Sequence, residues 1–247
     1  MDLDYDFYTH TGGKSENQDC ILVEETKDSF YAVLCDGLGG MMHGAEASAF
    51  CAQQLLEHLK QAKNIDKKAM NAAFSSVQEN FTAFQNKNNQ YKNARSTACA
   101  LVIKNDTAVW GNIGDTRIYH FSDGSMQNVS PDDSTGYAAF LRGEISHEEI
   151  REYDGRSTLT ACLGDFRHID PHIGSVQLGD TDMFLLCSDG FWQFVFSVEM
   201  LTDLCKSKSA KQWLNYMLLR LIQRSHLEDD NLTALTCMMK GNSHYEY

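Results

Sequence analysis

Proline is almost missing from this chain: Pro131 and Pro171 stand alone, and neither lies in a Gly/Ser-rich, charged or repeated tract. Without such a tract nothing divides the 247 residues into segments of different composition, so a single domain over 1–247 is expected. Positive charge is also scarce, with 21 Lys and Arg against 34 Asp and Glu for a formal net charge of −13. Nucleic acids and anionic membranes both require a basic surface, and this balance excludes them as partners. No apolar run approaches the ~20 residues that cross a bilayer. The acidic start Met1-Asp2-Leu3-Asp4-Tyr5-Asp6 lacks the basic and apolar regions of a secretory signal, and a soluble cytoplasmic protein is expected. Finally, none of the eight cysteines forms a C-x-x-C pair, and most sit inside apolar runs, where cysteine behaves as a small buried hydrophobe. They read as reduced core residues; Cys35 and Cys187 adjoin aspartates but have no paired histidine to make either a nucleophile.

What the chain does have is ample apolar content, 43%, arranged with a particular punctuation. Residues 30–35 form an apolar, strand-like run that ends abruptly in Asp36, followed by Gly37-Leu38-Gly39-Gly40 and then a helical pattern. Residues 183–188 form a second such run, ending in Asp189-Gly190. Two buried strands that each deliver an Asp-Gly at their exit place carboxylates at one edge of a core. Carboxylates gathered there raise one another's pKa, and a bound cation is the natural resolution. All-oxygen ligands select a hard metal, magnesium or manganese. A third aspartate, Asp115, follows Gly114 in what reads as a hairpin turn between strands at 107–113 and 116–121.

The remaining pattern gives strands at 7–10, 20–24, 97–103, 172–178 and 232–239, with a polar loop at 11–19. Ala47, Cys51, Leu55 and Leu59 mark a helix over 44–61, and Met70, Phe74, Val77, Phe81 and Phe84 mark another over 67–88. Two more helices are expected, one capped by Ser197 and running through Leu204, the other over 209–225. Residues 131–157 read as a polar, irregular insertion with one short helix begun by the capping box Ser146-His147-Glu148-Glu149. Strand clusters alternate with helix pairs, which argues for antiparallel sheets covered by helices, an α+β architecture, over a doubly wound parallel sheet.

Taken in order, Asn17-Gln18-Asp19, Asp36-Gly37-Leu38-Gly39-Gly40, Gly114-Asp115-Thr116-Arg117, Ser188-Asp189-Gly190 and Asp230-Asn231-Leu232-Thr233 resemble the motifs of PP2C-type metal-dependent protein phosphatases (the PPM family) of bacterial type. The resemblance runs from near the start to about residue 239. It implies a four-layer αββα sandwich with two, or three, Mn2+ or Mg2+ ions in a cleft at one edge of the paired sheets. Asp36 then bridges two ions, Gly37 supplies its carbonyl, and Asp189 and Asp230 complete the direct carboxylate ligands. Asp115, with Asp189, forms a third site, while Asp19, Gln18 and Asn231 orient water and ligands. The implied chemistry is hydrolysis of phosphoserine and phosphothreonine, with cations roughly 3.5–4 Å apart lowering the pKa of a shared water that attacks phosphorus in line.

The sequence also departs from the family's pattern. Lys14 stands where the family has a phosphate-binding arginine, and it is assigned here as the catalytic phosphate contact, a point charge without the bidentate fork. Gln18 replaces a glutamate, and Leu38 replaces a histidine found in animal members; His43, nearby, reads as a solvated loop residue. The resemblance implies phosphorylated protein substrates, an opposing Ser/Thr kinase and a monomer. Tyr137, Phe140 and Leu141 of the 131–157 flap either contact the protein part of the substrate or pin the flap to the core. Two alternatives remain beside the active enzyme: a pseudophosphatase scaffold, and a dedicated phosphatase for one anti-sigma-factor-antagonist-like protein.

Overall fold

The computed structural model describes residues 3–38, 43–166, 168–225 and 230–239. One five-stranded antiparallel sheet contains β2 (Asp19–Glu25), β3 (Ser29–Asp36), β4 (Ala98–Lys104), β5 (Thr107–Ile113) and β8 (His172–Gln177), adjacent in that order. The other has the order β1 (Leu3–His10), β10 (Leu232–Met239), β9 (Met183–Cys187), β6 (Arg117–Ser122) and β7 (Ser125–Val129), again antiparallel throughout.

Strand alternation builds the layers. On β3, Tyr31, Val33 and Cys35 point to α1 (Gly44–Gln61) and α2 (Lys67–Lys87), while Phe30, Ala32 and Leu34 point to the opposite sheet. On β9, Phe184 and Leu186 meet that inter-sheet core, and Met183, Leu185 and Cys187 face α4 (Asp189–Trp192), α5 (Ser197–Lys206) and α6 (Ala210–Arg224). Both strands are therefore apolar on two faces, which is why they read as unbroken hydrophobic runs. The result is the expected α+β architecture with helices outside two packed sheets.

Helices α1 and α2 occupy the expected stretches; Asp66 caps α2 by accepting the Ala69 N–H at 2.8 Å, and Ser209 caps α6 through Gln212 N–H at 3.1 Å. Ser197 is not a cap. It is the first residue of α5, and Glu199 instead satisfies the Phe196 N–H at 3.1 Å.

Two other expectations are corrected. Gly114-Asp115 is no hairpin turn, because β5 pairs with β4 and β8 whereas β6 pairs with β7 and β9, so the chain crosses there from one sheet to the other. Nor is 131–157 an irregular stretch with a single short helix. It holds α3 (Thr135–Leu141), capped by Ser134, and a 3-10 turn at Glu148–Glu152, with Gly136, Ala139, Ile150 and Arg151 all buried. Half of the expected box at Ser146 is present, its N–H donating to Glu149 at 2.6 Å.

Candidate active site

Asp36 ends β3 opposite Asp19, the first residue of β2. Its backbone is fixed by the two residues just before β4: Asp36 N–H donates to Thr97 Oγ1 (3.1 Å), and its carbonyl accepts from Thr97 N–H (2.8 Å) and Ser96 Oγ (3.1 Å). The next residue must be glycine, because a Cβ at Gly37 would lie 2.0 Å from the carbonyl oxygen of Gly44 at the start of α1. Burial drives the Asp36 carboxyl well above its ordinary range, and the charges of Asp19, Asp189, Asp115 and Asp230 push it further.

Asp19 is buried beside it. Ser188 Oγ donates to its Oδ2 at 2.8 Å, and the same hydroxyl receives Thr233 N–H at 3.0 Å, which ties β2, β9 and β10 together. Asp19 Oδ1 has no hydrogen-bond partner although it is buried. Burial raises this carboxyl from 3.8 to about 7, with Asp189 and Asp230 adding to the effect and the Thr233 and Ser188 hydroxyls opposing it. Asp189, at the exit of β9, is raised to about 6 by burial first and Asp230 second. A Cβ on Gly190 would sit 2.2 Å from the Asn231 carbonyl oxygen, so only glycine lets the two backbones approach this closely.

Asn231 staples the loop between β1 and β2, accepting Gln18 N–H at 2.8 Å and donating to the carbonyls of Thr11 (2.8 Å) and Glu16 (3.0 Å). That loop carries Lys14, whose Nζ lies 3.7 Å from Asp230 Oδ1; both side chains are about half exposed, at 50% and 52%. The Gln18 side chain rests against Gly44. His43 is in the left-handed region at φ 77° and meets Glu46 at 3.0 Å.

Asp115 is buried where the chain changes sheets, and its carbonyl accepts Trp192 Nε1 at 2.8 Å. Burial raises its carboxyl, Asp189 and Asp132 add to this, and Arg117 opposes. Arg117, read from the sequence as a structural ion-pair partner, forks onto Asp132 at 2.8 and 2.6 Å in a buried pair and stacks on Trp192 with 3.6 Å from Cζ to the ring centroid. Arg151 holds the other limb of 131–157, donating to the carbonyls of Trp192 (3.0 Å) and Gln193 (3.1 Å). Tyr137 and Phe140 pack on the core under α4–α6, whereas Leu141 is 68% exposed.

The site therefore combines five neighbouring carboxylates, four of them raised above their ordinary range, and one of these four, Asp19, carries a buried oxygen without a hydrogen-bond partner. An all-oxygen, negatively charged set of this kind fits a hard divalent cation. Among the described residues no three such side chains already close around one point. Magnesium-like ions keep several waters and ask for only one or two carboxylates each, so a loose cluster is compatible with them.

A family model described as Protein phosphatase 2C matches residues 8–235. The chain belongs to that family. A serine/threonine phosphatase, stp, of Listeria welshimeri serovar 6b is 26% identical over 240 residues, covering 92% of this chain and 94% of the relative. The structure of the serine/threonine phosphatase Stp1 from Staphylococcus aureus superposes with a TM-score of 0.86 at 24% identity, covering 97% of this chain and 96% of that one. The catalytic domain of the serine/threonine protein phosphatase PstP, solved with two manganese ions, gives 0.79 at 20% identity, covering 96% and 97%. These structures share the protein phosphatase 2C fold seen here.

Within this fold, the motif aspartates Asp19, Asp36, Asp115, Asp189 and Asp230 come together as neighbours. Residues 39–42 of the first motif, and Glu228 and Asp229 before the last, lie outside the described residues. No disulfide joins the described cysteines, and burial raises the Cys35 and Cys187 thiols well above their ordinary range, so neither offers a thiolate. Sequence reasoning missed Thr97 and Trp192. Thr97 was visible as the last of three polar residues, Arg95-Ser96-Thr97, that interrupt the approach to an apolar strand; nothing in the sequence singled out Trp192.

Proposed function

We propose that this chain, as one phosphatase domain, hydrolyses phosphoserine and phosphothreonine in proteins at a binuclear site loaded with manganese or magnesium. The buried carboxylate cluster with the orphaned Asp19 Oδ1 carries this reading, because such a cluster is costly to a fold that makes no use of it. When bound, the two cations supply Lewis acidity, making water nucleophilic near neutral pH and taking up charge on the phosphoryl oxygens. Asp36 would bridge them, with the Gly37 carbonyl, Asp189 and Asp230 as further ligands and Asp115 serving a weaker third position.

Around them each residue has a task set by its contacts. Asp19, held by Ser188 through Oδ2, keeps Oδ1 without a protein partner and would accept a hydrogen bond there from the attacking water. Asn231 fixes the loop that carries Gln18 and Lys14. Lys14, exposed at the rim beside Asp230, meets the substrate phosphate as it arrives. The exposure of Leu141 supports its contacting the protein part of the substrate, and the packing of Tyr137 and Phe140 on the core supports their anchoring the segment that presents it. The partners are then phosphorylated cytoplasmic proteins and the kinase that modifies them, with the phosphatase acting as a monomer.

Hydrolysis of an aryl phosphate with and without manganese tests the proposal directly. Manganese-dependent turnover that disappears in Asp36→Asn and Asp189→Asn, with the fold retained, is expected. A wild-type protein that binds manganese but releases no phosphate would favour a scaffold, and undiminished turnover in both variants would overturn the metal assignment.

A further inference from the structure

One residue outside the motifs is bonded at every polar atom it possesses. Asp133 lies at the root of the 131–157 segment, directly after the buried Asp132 that pairs with Arg117. Its backbone N–H donates to the Gly114 carbonyl at 2.8 Å, and its Oδ2 accepts the Gly114 N–H at 3.0 Å, a reciprocal pair closed on the residue just before Asp115. Its Oδ1 meets His172 Nε2 of β8 at 3.0 Å, and its carbonyl accepts Thr160 N–H, at 2.8 Å, from just beyond the end of that segment. The neighbouring Pro131 carbonyl takes Asn112 Nδ2 of β5 at 2.8 Å.

The turn so gripped has little freedom of its own. Gly114 adopts φ 92°, a conformation only glycine holds without strain, and a Cβ there would come within 2.6 Å of the Thr97 side chain. Thr97 is the residue that fixes Asp36. On the far side, the Asp115 carbonyl is tied to Trp192. The Asp115 turn is thus clamped between Trp192 and Asp133, and Asp133 links it both to the start of the flap and to Thr160, just past the flap's end.

We infer that Asp133 is a positioning residue: by clamping the Gly114–Asp115 turn it fixes the Asp115 carboxylate, so that the root of the 131–157 segment sets the ion affinity of the site Asp115 serves. The inference rests on the reading of Asp115 as a metal ligand. It makes the flap more than a surface for substrate, because a partner that strains the flap root pulls on the same two hydrogen bonds.

The test uses the full chain and two variants. Asp133→Asn keeps an oxygen for the Gly114 N–H, whereas Asp133→Ala removes it. In the metal-free protein, NMR-detected exchange of the Gly114 amide should accelerate on the order of ten- to a hundredfold in Ala and stay near wild type in Asn. Calorimetric titration with manganese should show the weakest ion losing about tenfold or more in affinity in Ala, rescued in Asn, with the tighter ions unchanged. Unchanged Gly114 exchange in Ala would overturn the clamp. Equal losses of manganese binding and melting temperature in both variants would reduce Asp133 to a folding role and overturn the inference as well. If Gly114 exchange accelerates as expected but wild type binds no manganese, the clamp stands and the link to ion affinity falls with the functional reading.

Discussion

Replacing Asp19 by asparagine should stabilise the metal-free protein at neutral pH while removing its activity. The carboxyl is buried and carries one unpartnered oxygen, and its pKa rises from 3.8 to about 7. An acid whose folded pKa lies above its unfolded value binds more protons when folded, so stability is greatest below about pH 4 and declines as pH rises to about 7. A shift of that width corresponds to about 4 kcal/mol withheld from the fold above pH 7. Asparagine escapes the penalty because it does not ionise. It can still accept the Ser188 hydroxyl through its amide oxygen, and its NH2 can donate into the carboxylate cluster where Oδ1 is now unsatisfied. Allowing half the penalty to be recovered, about 2 kcal/mol, the melting temperature at pH 8 should rise by about 4–8 °C for a chain of this size. Thermal unfolding in a chelating buffer at pH 4 and pH 8 measures this. The gain should vanish at the acidic end, and manganese should narrow it at pH 8 by stabilising wild type more than the variant. A gain independent of pH, or a loss of stability at pH 8, would refute the reasoning.

Other expectations follow from single contacts. Lys14→Ala should raise KM for a phosphopeptide more than it lowers kcat, since a flexible ammonium meets the phosphate alike in ground and transition states; because its ion pair with Asp230 is exposed, the melting temperature should barely move. An unchanged KM would remove Lys14 from the phosphate site. Arg117→Ala should destabilise by about 3–5 kcal/mol, read as a denaturant midpoint shift, because it strands the buried Asp132 carboxylate; a shift below about 1 kcal/mol would show that the pair is dispensable. Leu141→Asp should impair phosphoprotein hydrolysis and spare an aryl phosphate, whereas Phe140→Ala should lower the melting temperature and reduce both activities; equal loss on both substrates for Leu141→Asp would deny it a recognition role.

The strands that deliver Asp36 and Asp189 were legible because each is buried on two faces and ends at a carboxylate, and α1 and α2 announced themselves by their apolar stripes. The same two-sided burial hid the crossing at Gly114-Asp115. When β5 and β6 are both covered on either side, alternation cannot tell which sheet each joins. The 131–157 segment was misread for another reason. Its anchoring is done by small residues, Gly136 and Ala139, and by polar pairs, Arg117 with Asp132 and Arg151 with two carbonyls, none of which leaves a hydrophobic period. Asp133 is equally silent in sequence, since its partners Gly114, Thr160 and His172 are brought to it only by the folded chain.

The pairing of β1 with β10, in register from Leu3 opposite Met239 to His10 opposite Leu232, has a consequence for how the enzyme comes into being. β10 lies between β1 and β9, and the strand and its approach bring Asp230, Asn231 and Thr233 to the cluster. During synthesis, then, β1 leaves the ribosome without its neighbour and waits for more than 200 residues to follow. Contacts so distant in sequence close late and slowly. The carboxylates of Asp19, Asp36, Asp115 and Asp189 are all made before the strand that completes their surroundings, so a nascent chain carries the acidic residues of the site well before it can hold them in place.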